Sequence, residues 1–177
     1  MEHAPSFQIE LFASGAFGST PPSFRSVVLM HEWYHVLEFA FTDCGRRCRP
    51  LVDPVPDWLI EGAALEESLF AAADRHIGFY SFFRAGQIAQ AQRVRKPLRD
   101  LSSIGRPGTE YGLAFAAVEL LVARNGHDAL QAFWERTGAT GDWERAFRQA
   151  FGEPVHRYYK QFETYRRGGF PTRHRAS

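Results

Sequence analysis

The feature of this sequence that most restricts the fold is an apolar stretch, residues 27–39, that carries two histidines four positions apart. His31 and His35 lie within it, and Glu32 directly follows the first histidine. We expect a helix over about residues 24–41, with Ser23 as its N-cap, that is buried on most sides because apolar side chains encircle it. In a helix, the spacing places both imidazoles on one face, about one turn apart.

Two imidazoles at this spacing can hold a single metal ion, and Glu32 would point to the side of the same helix face. Neutral imidazole is a suitable ligand for Zn²⁺, and a nearby carboxylate can take a proton from water whose pKa the metal lowers to about 7. The His-Glu-x-x-His motif is short, however, so a sequence can contain it by chance. The same residues also fit an ordinary amphipathic helix with two hydrogen-bonded histidines, and the motif alone leaves both interpretations open.

Length and composition are those of a globular chain of one domain or slightly more. The sequence has 177 residues, of which 45% are hydrophobic and 23% are charged. A net charge of +1 gives no reason to expect a nucleic acid or an anionic membrane as a partner. No run approaches the roughly 20 apolar residues of a membrane span, and residues 1–20 lack a signal-peptide pattern. We therefore expect a cytoplasmic protein, or a secreted one if the sequence is a fragment.

The two cysteines, Cys44 and Cys48, are close neighbours after the histidine-containing helix. They would form a small-loop disulfide in an oxidising compartment and remain free thiols in a reducing one. The sequence alone leaves both states open. A second metal site is not expected here, because there is no second pair of ligands nearby.

Apolar patterning and the positions of glycine and proline predict a mainly α domain with one short strand, an α+β class. Residues 7–12 alternate between apolar and polar side chains, which predicts a strand that needs a partner. Residues 97–101 are expected to be a short extended piece that lines a cleft. Residues 1–167 are expected to form a single domain, and residues 168–177 are expected to be a basic flexible tail. Helices are predicted, in chain order, at residues 24–41, 58–73 with Asp57 as the cap, 76–94, 110–124, 127–137, 142–151 and 154–167.

A catalytic zinc site needs three protein ligands and an open position for water. The third histidine that follows the motif in metzincins is absent, because Glu38 and Phe41 occupy the glycine and histidine positions. The predicted second helix offers a glutamate in a distinctive setting, Pro56-Asp57-Trp58-Leu59-Ile60-Glu61-Gly62-Ala63-Ala64.

These two segments together resemble the gluzincin peptidases, most closely the bacterial peptidase MA-like group. In that group a motif of the form Pro-x-Trp-Leu-x-Glu-Gly-x-Ala follows the His-Glu-x-x-His helix. The resemblance implies a zincin-like helical catalytic domain in which His31, His35 and Glu61 bind Zn²⁺. It also implies that Glu32 is the general base. Only one clear strand corresponds to the N-terminal sheet of that group, so we expect a small residual sheet or an upstream sheet outside this sequence.

The resemblance agrees with simple packing arguments for the second helix. Glu61 lies near the start of that helix, so packing of the two helices can bring it to the metal. We expect Gly62 to let the two backbones approach closely. Trp58, one turn before Glu61, is expected to fix the helix by packing.

Five further side chains have candidate roles or positions. By the same resemblance, Tyr111 is predicted to donate a hydrogen bond to the oxygen that becomes negatively charged during peptide hydrolysis. The alternative is that Tyr111 is a tyrosine packed in the core. Glu66 and Glu67 would either accept a hydrogen bond from a ligand histidine or lie on a solvated helix face. His76 and His127 are expected at the surface or at helix ends.

The leading functional hypothesis is a zinc-dependent peptidase that acts on a peptide or protein substrate. One alternative is a non-catalytic helical module that binds zinc for stability or packs against a protein partner, and another is an intracellular regulatory peptidase with one protein target. Glu32 favours an enzyme, because a structural zinc site needs its ligands and has no use for a base. The sequence predicts neither the oligomeric state nor the preferred peptide sequence.

Overall fold

A computed structural model of the chain describes residues 22–43, 48–101, 104 and 108–172. Within these residues there are seven α-helices, one turn of 3-10 helix and no β-strand. The mainly α prediction is therefore confirmed, whereas the predicted strand at residues 7–12 lies outside the described residues. Among the described helices, none combines the length and the hydrophobicity needed to cross a membrane.

The helices follow one another along the chain with short connections, apart from the longer segments after the first and before the fourth. They are α1 (Pro22–Thr42), α2 (Asp57–Asp74), α3 (Tyr80–Ala91), α4 (Thr109–Asn125), α5 (His127–Thr140), α6 (Trp143–Phe151) and α7 (Val155–Arg167).

The predicted start of the third helix at residue 76 is wrong, because His76 lies in a turn after α2. His76 has a positive φ of 56°, which is incompatible with a right-handed helix. The amides of Arg75 and His76 donate to the last carbonyls of α2 and complete its C-terminus. The third helix therefore begins only at Tyr80.

The extended segment predicted at residues 97–101 is also wrong, since Leu98–Asp100 forms a 3-10 turn. Leu98 and Leu101 are fully buried in the core. The backbone amide of Leu98 donates a hydrogen bond to the Glu163 carboxylate at 2.9 Å. This segment closes the core against α7.

The centre of the core is the contact between α2 and α4. Helix α4 is buried on nearly all sides from residue 112 to 122, as expected for a helix that is apolar all round. Trp58 is fully buried, stacks on Tyr158 of α7 with 5.9 Å between ring centroids, and donates from Nε1 to the Tyr159 hydroxyl. As expected, Trp58 packs one turn before Glu61. The helix that Gly62 approaches closely, however, is α4 and not α1.

Helix α1 is less buried than expected, because it packs through one side against α2 and α5. Trp33 is 59% exposed, and Leu29, Leu37 and Phe39 are also exposed. After α1, Cys48 is disulfide-bonded, and Cys44 lies outside the described residues.

Residues beyond α7 continue to pack against the helices. Phe170 is only 3% exposed, although it belongs to the segment expected to be a flexible tail. The Arg84 side chain of α3 donates hydrogen bonds to the Phe170 carbonyl at 3.0 Å and to the Tyr165 hydroxyl at 3.2 Å. The packed part of the chain therefore extends to Phe170, beyond residue 167.

Candidate metal centre

Two helices bring three potential metal ligands together at one point. His31 and His35 lie one turn apart on α1, and their Nε2 atoms are 3.1 Å from each other. Glu61, in the second turn of α2, places its Oε2 atom 3.2 Å from Nε2 of His31 and 3.6 Å from Nε2 of His35. Within the described part of the chain, these residues form the one group of three side chains with the spacing of a metal site.

These separations match the geometry of tetrahedral zinc. With metal–ligand bonds of 2.0–2.1 Å, two ligand atoms of a tetrahedral site lie about 3.3 Å apart. The three separations in the structure lie on both sides of that value. The Oε2 atom of Glu61 is also inaccessible to solvent and faces Nε2 of both imidazoles. A buried carboxylate oxygen of this kind needs a compensating group, and a cation held by the two imidazoles provides one.

The electrostatics of the group favour a negatively charged third ligand. Burial opposes ionisation of Glu61, but the imidazoles of His31 and His35 outweigh burial and lower the pKa of Glu61 to about 2. For His35, burial lowers the pKa. The carboxylates of Glu38 and Glu61 outweigh the effect of burial and raise the pKa of His35 to about 10. A metal ion would therefore compete with a proton for Nε2 of His35.

One residue of this site was not identified from the sequence. Glu38 lies three residues after His35 on the same face of α1, and its Oε2 atom is 2.7 Å from Nδ1 of His35. The side chain is 5% exposed, and burial raises the pKa of Glu38 to about 7 against the opposing effect of His35. The i,i+3 spacing from a predicted ligand is the sequence signal that identifies such a residue.

Tyr111 and Glu32 lie beside the three potential ligands. Tyr111 is in the first turn of α4, and its ring centroid is 6.5 Å from that of His31. Burial raises the pKa of Tyr111 to about 12, with further contributions from the carboxylates of Glu61 and Glu32. The phenol therefore remains protonated at neutral pH and can donate a hydrogen bond. Glu32 is half-buried and follows His31 on α1.

Among the described contacts, neither Glu66 nor Glu67 pairs with His31 or His35, and the alternative of a solvated helix face is wrong for Glu66. Glu66 is fully buried and accepts a hydrogen bond from the Tyr80 hydroxyl at 2.6 Å. Glu67 lies 2.5 Å from Nδ1 of His127, which begins α5. Both glutamates follow Glu61 by five or six residues, so they point about 120–140° away from it around α2. His76 is exposed in the turn after α2.

A separate cavity of about 700 Å³ lies between α1, α2 and α5. The side chains of Met30, Tyr34 and Leu37 line it on α1. By helix phase these residues lie on the opposite side of α1 from Glu32. This cavity therefore does not lie beside Glu32.

Comparison with protein-family models, with curated proteins and with solved structures finds no match to this chain.

Proposed function

We propose that this chain is a zinc-dependent metallopeptidase of the gluzincin type. The observation that carries the proposal is the convergence of two imidazole nitrogens and one carboxylate oxygen, from His31, His35 and Glu61, at separations of 3.1, 3.2 and 3.6 Å. Two histidines and one glutamate, with a fourth position left open, are a donor set of catalytic zinc sites. The resemblance of the two sequence motifs to gluzincin peptidases supports the same proposal.

The proposed roles of the protein residues follow from their positions. When bound, Zn²⁺ supplies Lewis-acid activation of the attacking water and of the scissile carbonyl. Glu32 takes the proton from that water and transfers it to the leaving amine as general base and then general acid. Tyr111, whose phenol stays protonated, donates a hydrogen bond to the carbonyl oxygen as negative charge develops on it. The substrate in this proposal is a peptide or protein.

A non-catalytic zinc-binding module would use the same three ligands, so the role of Glu32 distinguishes the two functions. The decisive experiment measures zinc content and peptide hydrolysis on the same samples of wild type, Glu61→Ala and Glu32→Gln. Glu135→Gln is a suitable control, because Glu135 is an exposed glutamate on α5 whose nearest partner is Gln131.

We expect the wild type and Glu135→Gln to bind about one zinc ion and to cleave a peptide. Glu61→Ala should lose zinc, because only the two histidines remain. Glu32→Gln should keep zinc and lose cleavage, because the amide cannot accept the proton. Wild-type protein that binds no zinc after reconstitution would refute the proposal. Zinc binding without cleavage, both in wild type and in Glu32→Gln, would support the non-catalytic module instead.

A further inference from the structure

The contact between Glu38 and His35 extends the metal site beyond its three ligands. Nδ1 of His35 lies 2.7 Å from Oε2 of Glu38, while Nε2 of the same ring faces His31 and Glu61. Glu38 is nine-tenths or more buried, so its carboxylate has little freedom to move away. One imidazole therefore connects a buried carboxylate on one side with the proposed metal position on the other.

We infer that Glu38 is a positioning residue that holds His35 in the tautomer whose Nε2 lone pair binds the metal. This inference rests on the proposed function. The carboxylate accepts a hydrogen bond from Nδ1–H, and a proton on Nδ1 leaves Nε2 free as a ligand. The same contact fixes the ring orientation, because Glu38 is attached one turn further along the same helix.

The carboxylate of Glu38 also contributes to metal affinity through the ring of His35. A carboxylate that accepts from Nδ1–H makes the other ring nitrogen a stronger electron donor to the metal. The Oε1 atom of Glu38 is buried and has no hydrogen-bond partner among the described residues. Replacement of this carboxylate by an amide should weaken metal binding even when the three ligands themselves are unchanged.

The structure contains a second carboxylate–histidine pair that serves as a matched control. Glu67 of α2 lies 2.5 Å from Nδ1 of His127, and His127 stacks on Phe70 with 4.2 Å between ring centroids. His127 is not part of the three-residue metal group. A Glu67→Gln substitution makes the same chemical change next to a histidine that is not a proposed ligand.

The test measures zinc affinity of wild type, Glu38→Gln and Glu67→Gln by competition with a chromophoric chelator. We expect Glu38→Gln to bind zinc about 10–100-fold more weakly than wild type, the loss typical of outer-sphere partners of a metal ligand, and Glu67→Gln to bind as wild type does. Cobalt-loaded Glu38→Gln should show a changed visible spectrum, because the orientation of His35 changes. A residue with a merely structural role would alter the stability of metal-free protein and leave this spectrum unchanged.

A second measurement uses the wild type alone and so does not depend on folding of the variant. Nitrogen NMR of the zinc-loaded protein should show a protonated Nδ1 and a metal-bound Nε2 for His35. Metal binding through Nδ1, or an unchanged zinc affinity in folded Glu38→Gln, would overturn the inference. Wild-type protein that binds no zinc would instead refute the proposed function, and the two failures are therefore distinguishable.

Discussion

A Cβ atom at Gly62 would lie 2.5 Å from the carbonyl oxygen of Ala114, so α2 and α4 are in direct backbone contact at this point. Gly62 follows Glu61, and Ala114 lies three residues after Tyr111 on α4. One close contact therefore determines where the third potential ligand and the tyrosine lie relative to each other.

Gly62→Ala should damage both stability and metal binding. The added methyl group would meet the Ala114 carbonyl and the Val118 side chain, and neither helix can move without disturbing the core. We expect the free energy of unfolding to fall by about 1–3 kcal/mol, the usual cost of overpacking, and zinc affinity to fall because Glu61 is displaced. Denaturant unfolding and chelator competition measure the two effects.

Gly86→Ala is the control for that substitution. Gly86 lies in α3, and a Cβ there would meet no described atom within 4 Å. Since alanine favours a helix more than glycine does, we expect this variant to gain up to about 1 kcal/mol. Equal stability of Gly62→Ala and wild type would contradict the close contact between α2 and α4.

Tyr111→Phe should lower turnover without removing zinc. The substitution deletes the hydroxyl that we propose donates to the developing oxyanion, and the loss of one such donor typically reduces kcat about 10²–10³-fold. Zinc content should stay at the wild-type level, because the hydroxyl is not one of the three ligands. Unchanged kcat in a folded, zinc-loaded variant would eliminate this role and leave Tyr111 as a packing residue.

Removal of zinc by a chelator should abolish hydrolysis but leave the helical fold intact. The hydrophobic core that contains Trp58, Leu59 and α4 does not include the three proposed metal ligands. Far-UV circular dichroism of the chelated protein should therefore stay close to that of the loaded protein. Added zinc at 100 times its Kd should restore activity and raise stability by about 2.7 kcal/mol. Complete unfolding on chelation, as in zinc fingers, would indicate a structural metal instead.

Tyr80→Phe should destabilise the protein without affecting the metal site. The substitution removes the hydroxyl that donates to the buried carboxylate of Glu66 at 2.6 Å. We expect a loss of about 1–3 kcal/mol in denaturant unfolding, because a buried carboxyl oxygen loses a hydrogen-bond donor. Tyr159→Phe, which removes a longer hydrogen bond to Trp58 at 3.3 Å, should lose only about 0.5–1.5 kcal/mol. Loss of zinc from a folded Tyr80→Phe variant would show that the contact between Tyr80 and Glu66 influences metal binding.

Part of the site was predictable from local sequence. The i,i+4 spacing of His31 and His35 places both rings on one face of α1, and this follows from helix geometry alone. The motif around Glu61 singled out the third potential ligand. Glu38 was predictable by the same spacing rule from His35, but its burial and its contact with Nδ1 depend on how α1 packs.

Other assignments failed because distant contacts decide them. Glu66 and Glu67 follow a proposed ligand in sequence, yet their partners are Tyr80 on α3 and His127 on α5. The segment with Leu98 and Leu101 is expected from the sequence to line a cleft, but both leucines fill the core, and the Leu98 amide donates to Glu163 of α7. No local pattern specifies such pairings.

The sequence by itself determined the helical class and the approximate limits of most helices, because apolar periodicity, proline and glycine act within a few residues. It also determined which side chains share a face of α1. Only the tertiary structure decided that Glu61 comes within 3.2 Å of His31, because that distance depends on how α1, α2 and α4 pack. The contact of Gly62 with Ala114 is part of that packing, and it joins segments about fifty residues apart, beyond the range of any local rule.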